Sequence, residues 1–552
     1  VDELLFVLVS ALLVIAAATV FGPRLGIAAP LILVAVGVGA SFLPLFADVE
    51  IDPEWILAGV LPPLLYSAAV SMPAMNFRRE FAAISGLSIV LVVGTSLVLG
   101  LFFMLVIPGL GFAWGVALGA IVSPTDAVAT SIVKRTSVSK RVVAILEGES
   151  LLNDATALVL LRTAIVAAAA SFSFWGTVGT FSYSVVVAVV IGGVAGWLNL
   201  VVRKRVTDAT VNTVISFAVP FVASVPTELL GGSGLVAAVV AGLVTGIRAP
   251  RIISAQNRLS DSQNWRTVEL VLEGVVFLTM GLQIRSIVMS VQADHAGVAP
   301  AILIALGALL LTIIVRAAYV APLLQGLSRR ARRGAERQDQ LQSFGQKVET
   351  SEGRQETLEK FAAKGRQVSE KDLDRFIRRV RRGIADMDYF LRAPLGWRDG
   401  TAVVWAGMRG AVTVAAAQTL PPETPQRSVL VLIAFAVALL SLLIQGGTVG
   451  PLLRKIAPAV DDSATSTQLD SERTEIYELM RSCVSDIPKP VHSEDSPKME
   501  RFSAEKRYRL EVLKAQRAAL LDARDNGIFD AEVLAKELAN LDASQIAIEM
   551  RG

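Results

Sequence analysis

"RVVAILEGESLLNDATALVLLRTAIVAAAA", residues 141–170, is long and apolar enough to cross a bilayer, yet it carries Glu147, Glu149, Asn153 and Asp154. An ionised side chain at a helix centre costs about 2.5–3.5 kcal/mol on insertion scales, so acids at that depth face the interior of a bundle and serve it. Successive helical residues turn by about 100°. Glu147, Ser150 and Asp154 therefore share one face, and Glu149 and Asn153 share another. Asp154 lies deepest, with "ATALVLL" behind it, and a carboxylate there takes up a cation or a proton because it is seldom left empty and charged. That outlines a proton-linked cation site; the alternative for Asp154 is a structural salt bridge. Glu147, nearer a basic loop, reads as an entrance charge or as a salt-bridge partner of that loop.

The rest of the chain has the same character. Of 552 residues, 53% are hydrophobic and 18% charged, too apolar for a soluble enzyme of this size. Apolar blocks of spanning length are centred in 4–20, 27–46, 55–72, 82–107, 112–132, 142–169, 177–202, 212–229, 233–247, 267–289, 299–324, 401–420 and 428–453. Thirteen spans predict an all-α polytopic membrane protein with its two ends on opposite sides. The first block has no basic n-region or cleavage site and is taken as a retained span. Arg24; Arg78 and Arg79; Lys134, Arg135, Lys140 and Arg141; Arg203 to Arg205; and Arg248, Arg251, Arg258 and Arg266 fall in every second loop, which makes those loops cytoplasmic. The N-terminus is then outside and the C-terminal tail inside. The lone Cys483 forms no internal disulfide, and the compartment facing the tail is expected to be reducing.

Domain organisation follows from where the apolar blocks stop. Residues 1–325 and 401–456 form a transmembrane domain, 326–400 a charged cytoplasmic insertion with a helical run "SEKDLDRFIRRVRRGIADMDYFL", and 457–552 a cytoplasmic helical tail. In the tail, Asn526-Gly527 marks a turn between two amphipathic helices, either a regulatory or dimerising module or a solvated appendage.

Two further spans are interrupted. In "GVALGAIVSPTDAVATSIV" Pro124 removes an amide donor and disfavours helix at Ser123, leaving free carbonyls beside the Thr125 hydroxyl and the Asp126 carboxylate. These are oxygen ligands suited to a hard monovalent cation; Asp126 could equally cap a half-helix. Irregular backbone at that depth is tolerated only where protein or a cavity surrounds it. In "TAVVWAGMRGAVTVAAAQTL" Gly407 and Gly410 flank Arg409, an intramembrane cation for which Glu149 is the natural ion-pair partner. Spans one to six and eight to thirteen would form two halves with interrupted helices at corresponding places, the sequence pointer to a transport site. Glu269 and Glu273, four apart, line a cytoplasmic funnel or serve the helix end. Pro62-Pro63 kinks the third span, and Arg316 lies close enough to a span end to snorkel. His295 and His492 read as surface residues. No phosphate loop, metal-ligand cluster or nucleophile triad is visible, so no enzyme, cofactor or nucleic-acid partner is expected.

"SPTDAVA", "EGESLLND", "GMRGAV" and "LLIQGGTVGPLLRK", in this order, give the chain a resemblance over residues 4–456 to the sodium/proton exchangers of the NhaP and NHE branch of the cation/proton antiporters. The resemblance implies an NhaA-like fold of two inverted repeats with crossed, interrupted helices, homodimeric in the cell membrane. It implies that Asp154 exchanges a proton for Na+ or Li+, with Thr125, Ser150 and Asp126 at the ion site, Asn153 linking the broken helix and Glu149 paired with Arg409. Asn153 in place of a second aspartate implies electroneutral exchange, with a role in sodium, pH and volume homeostasis. Where some relatives carry an acid after "LPPLL", this chain has Ser67. The alternatives are K+/H+ antiport, a cation channel, or an ion sensor whose output is the tail.

Overall fold

The computed structural model describes residues 2–46, 52–126, 128–134, 136, 138–169, 174–294, 297–349, 355–356, 369–456, 462–485, 487–490 and 497–550. His295 and His492 lie outside the described residues, as does part of the 326–400 insertion. No strand occurs among the described residues. Among the described residues nine helices are long and apolar enough to span a membrane, and three shorter apolar ones occupy Ala29–Ala40, Trp55–Ser71 and Phe112–Val122. With the broken pair Trp397–Trp405 and Ala411–Gln418, every one of the thirteen apolar blocks corresponds to helix.

The chain divides into two units. The first comprises Val1–Ile253, Ser260–Pro322 and Trp397–Ala459, and holds the membrane-spanning segments apart from the start of Ala255–Ala293 and the end of Val298–Arg333. Large side chains such as Phe103, Leu118 and Phe435 fill parts of its interior, but some helix contacts are made by small residues that let backbones approach closely, a pattern of packing in lipid. The eleventh helix, Val298–Glu349, shows this pattern: Ala301, Ala305, Ala308 and Thr312 recur at helical spacing and are at most 1% exposed, while Leu303, Leu306, Leu310 and Ile314 are open. Arg316 continues the small-residue stripe one turn on and is 2% exposed. It does not snorkel.

The third span starts as a π-turn, Trp55–Val60, before Leu61–Ser71 with Pro62 in its first turn, where a missing amide costs nothing. A second π-turn, Gly86–Leu91, turns Ser88 so that its hydroxyl donates to the Glu149 carbonyl. Two of the arginines counted as loop charges are interior. Arg141 pairs with Glu80 at 2.6 Å, with side chains 4% and 0% exposed, and Arg203 donates to Asn212 at 2.7 Å and pairs with Asp261.

The second unit comprises Ser254–Leu259, Leu323–Gly396 and Val460–Gly552. Within it the run read as helical forms Glu370–Arg392, and the tail forms helices Asp462–Ser482, Lys498–Asn526 and Ala531–Glu549. The chain turns between the last two at Gly527 (φ 74°), and Asp530 caps the final helix. Ile476, Leu513, Leu520, Leu534 and Leu541 give the three tail helices a hydrophobic core of their own. Asp542 accepts from Arg517 at 2.5 Å and from Arg258 Nε at 3.0 Å.

Candidate functional site

The fifth span ends as a helix at Val122, with Ser123 as its cap, and resumes at Val128. The Ser123 amide still donates to the Gly119 carbonyl at 3.0 Å, so the turn closes before Pro124 stops it. The twelfth span breaks between Trp405 and Ala411. The two breaks meet. The Asp126 amide donates to the Met408 carbonyl at 2.7 Å, and Arg409 Nε donates to the Val122 carbonyl at 3.0 Å, so each interruption satisfies backbone groups that the other leaves open. Arg409 also donates to the Gly407 carbonyl, while its amide donates to Ser441 Oγ at 2.9 Å. Ser441 in turn donates to Gln445, which lies in the π-turn Leu442–Gly446 and reaches back to the Trp405 carbonyl. The glycines beside Arg409 are there for space: a Cβ on Gly410 would fall on the Asp126 carboxylate, and one on Gly407 would come within 2.6 Å of Arg316 Nε.

The sixth helix, Lys140–Ala169, faces this crossing. Asn153 Nδ2 donates to the Thr125 carbonyl at 3.0 Å and to its hydroxyl at 2.7 Å, clamping the broken fifth span onto the intact sixth. The Thr125 hydroxyl in turn donates a hydrogen bond to Glu149 Oε1 at 3.2 Å. One lone pair on that hydroxyl remains for another ligand. Glu149 is 2% exposed, and its ion-pair partner is Arg316, with Nη2 and Oε2 at 2.7 Å. This corrects the pairing expected from the sequence: Arg409, also 2% exposed, gives its side-chain donors to carbonyls instead. Arg316 Nε donates to the Val403 carbonyl at 3.0 Å, tying the eleventh helix to the twelfth.

Asp154 lies one residue beyond the clamp, about 100° round the helix, and is half-buried. No hydrogen bond or ion pair engages its carboxylate among the described residues, in contrast to Glu149. Asp126 is its electrostatic neighbour, and is also that of Glu273. One Asp126 oxygen accepts from the Val128 amide at 3.1 Å, which is the capping role; the other points at Gly410. Ser150, half-buried, precedes Asp154 by one turn on the same face. Glu147 pairs with Lys134 at 2.5 Å, a loop salt bridge whose side chains are 26% and 54% exposed. Glu269 is half-buried and Glu273 exposed on the helix Ala255–Leu282.

Thr125 and Asp126 thus sit at the crossing, with Ser123 and Pro124 making the break and Asn153 and Glu149 bonded to Thr125, while Asp154 is the electrostatic neighbour of Asp126 and Ser150 precedes it by one turn. The sequence reading missed Arg316, Ser88, Ser441 and Gln445. Arg316 alone had a visible signal, its place at the end of the small-residue stripe.

A family model described as "Sodium/hydrogen exchanger, transmembrane" matches residues 8–342 and 380–455. The chain is 26% identical to an uncharacterised Na+/H+ exchanger of Mycobacterium tuberculosis, an alignment covering 99% of this chain and 97% of the relative. It is 25% identical to the Na+/H+ antiporter ApNhaP of Aphanothece halophytica over 83% of this chain and 76% of that one. To the sodium, potassium, lithium and rubidium/H+ antiporter of Bacillus subtilis it is 31% identical, over 48% of this chain and 41% of that one. Among solved structures, the sodium proton antiporter MjNhaP1 of Methanocaldococcus jannaschii superposes with a TM-score of 0.55 at 16% identity, covering 83% of this chain and all of that one, a likeness of fold.

Proposed function

Since the chain belongs to the transmembrane sodium/hydrogen exchanger family and catalyses cation/proton exchange as a multi-pass membrane protein, we propose that Asp154 is the group that carries proton and cation alternately and that the exchange is electroneutral. The observation that carries this reading is the contrast between two acids of the sixth helix: Glu149 is neutralised by Arg316, while Asp154 has no partner among the described residues and lies one residue beyond the clamp on the broken helix. A single carboxylate in low dielectric is stable with a proton or a cation bound and costly when empty, so only the loaded forms cross. Thr125, Ser150 and Asp126 supply further oxygens for Na+ at Asp154. A side chain that never ionises, Asn153, stands next to it, so one proton leaves for each monovalent cation that binds. Glu147, Glu269 and Glu273 are proposed to attract cations from the cytoplasmic side.

The sixth, fifth and twelfth helices move together in this scheme as a core against the remaining helices. The chain works as a homodimer, N-terminus outside and tail in the cytoplasm, and residues 326–400 and 457–552 are the proposed regulatory segments. Sodium, with lithium, is the proposed cation. Potassium is the second reading, favoured by the printed specificity of the Bacillus subtilis relative.

Purified protein in liposomes with an internal pH dye tests this directly. A sodium pulse is expected to alkalinise the lumen, independently of a clamped membrane potential. Asp154→Asn is expected to lower the rate at least a hundredfold, and full exchange by that variant would overturn the assignment. Lithium and potassium pulses decide between the two cation readings.

A further inference from the structure

One face of the sixth helix carries Glu147, Ser150, Asp154, Leu158 and Arg162, each three or four residues after the last. Glu147 ends this stripe on Lys134; Arg162 ends it at the opposite tip on Glu228 of the eighth helix, Ala209–Leu229. A cleft of about 630 Å3 opens at that second tip, lined among others by Glu54, Leu57, Leu158, Arg162, Glu228 and Leu235. Its floor is apolar. Leu57, Leu158 and Leu235 line the cleft and also belong to the cluster in which Leu151 and Ala155 of the sixth helix pack on Leu61 and Leu65 of the third. Leu158, which lines the cleft, follows Asp154 by one turn, about 6 Å along the axis, on the same face of the helix.

The rim is charged. Arg162 and Glu228 stand 3.5 Å apart with side chains 64% and 38% exposed, and Glu54 adds a second acid. So exposed a pair is weak, and it joins a helix of the crossing to one that makes no part of it.

We propose that this cleft is the second route to Asp154, from the membrane face away from Lys134. Its leucine floor shuts it here, and Arg162–Glu228 is a clasp that parts when the sixth helix moves past the eighth. A constriction of apolar side chains stops a hydrated ion by excluding its water, while Glu54 and an unclasped Glu228 concentrate cations above it. Freed from Glu228, Arg162 follows its own helix, so the route opens and gains negative charge in one motion. The inference rests on the reading of Asp154 as carrier and adds where the second access lies and what holds it closed.

The chain has one cysteine, Cys483, and Cys483→Ser gives a background for site-specific thiols. In that background Arg162→Cys with Glu228→Cys, bridged by a short, reducible bifunctional thiol reagent in liposomes, is expected to lose at least tenfold in exchange rate and to recover on reduction. A bridged protein that exchanges at the unbridged rate overturns the clasp. Leu158→Cys treated with a small cationic thiol reagent from the face of the cleft is expected to be blocked, and modification without loss of exchange overturns the route. Should the double-cysteine protein be inactive before bridging, charge reversal decides. Glu228→Arg is expected to raise the apparent KM for sodium about two- to fivefold on the cleft side only, and an unchanged KM on that side counts against the clasp. Unmodified protein that exchanges no cation for protons would instead sink the carrier reading itself, so the two failures are distinct.

Discussion

Glu149 and Arg316 bury opposite charges side by side, and removing either strands the other in the bundle. Glu149→Gln is expected to destabilise the protein by about 3–5 kcal/mol, seen as a lower Tm in detergent, because the guanidinium keeps its charge and loses its counter-ion. Replacing both, Glu149→Leu with Arg316→Met, should recover most of that loss, since two apolar groups need no partner. The Lys134–Glu147 pair offers the control: with side chains 54% and 26% exposed, its loss should cost no more than about 1 kcal/mol. At this scale helical phasing in the sequence separates Asp154 from Glu149 and assigns them different tasks. It cannot say which arginine arrives at Glu149, because that depends on how distant helices pack. Arg316 stood eight residues inside the apparent end of its apolar block, near enough to water to be dismissed, whereas its helix runs on to Glu149's neighbourhood as part of an interior stripe.

Element by element, the two interruptions are one structure. Asn153 holds the fifth break to the sixth helix through two donated hydrogen bonds, and a carboxylate at that position has no proton to donate. Asn153→Asp is therefore expected to lower stability by about 1–3 kcal/mol and to slow exchange; unchanged thermal unfolding and rate would show that the clamp carries no weight. The interruptions themselves were legible, from Pro124 in one span and the glycines around Arg409 in the other. The bond from Asp126 to Met408 was not, since no pattern in either span names its partner. Element lengths erred both ways: Ala29–Ala40 falls short of its apolar block, while others overrun theirs. The eleventh helix, Val298–Glu349, outlasts its apolar block because Arg, Ala, Glu and Gln sustain helix after hydropathy ends. The π-turns Trp55–Val60, Gly86–Leu91 and Leu442–Gly446 left no mark in hydropathy, being set by packing rather than composition.

For the molecule as a whole, the proposed sharing of one carboxylate by two ions makes those ions rivals. Lowering the pH on one side of a liposome membrane is expected to raise the apparent KM for sodium on that side, measured from initial rates; a sodium affinity constant between about pH 6 and 9 would refute the competition. The tail has its own core around Leu520 and Leu534, which was foreshadowed by helical spacing and the Asn526-Gly527 turn, though its purpose was not. The clamp of Asn153 has a further consequence at this scale. On the electroneutral reading, the residue that keeps a second acid out of the site is also the residue that splices the broken helix to its neighbour. Stoichiometry and architecture are written in one side chain. A lineage leading from this protein to a two-proton exchanger must then supply a new donor for the Thr125 carbonyl before, or together with, the second acid, so the change is a two-step path with a crippled intermediate rather than a single substitution.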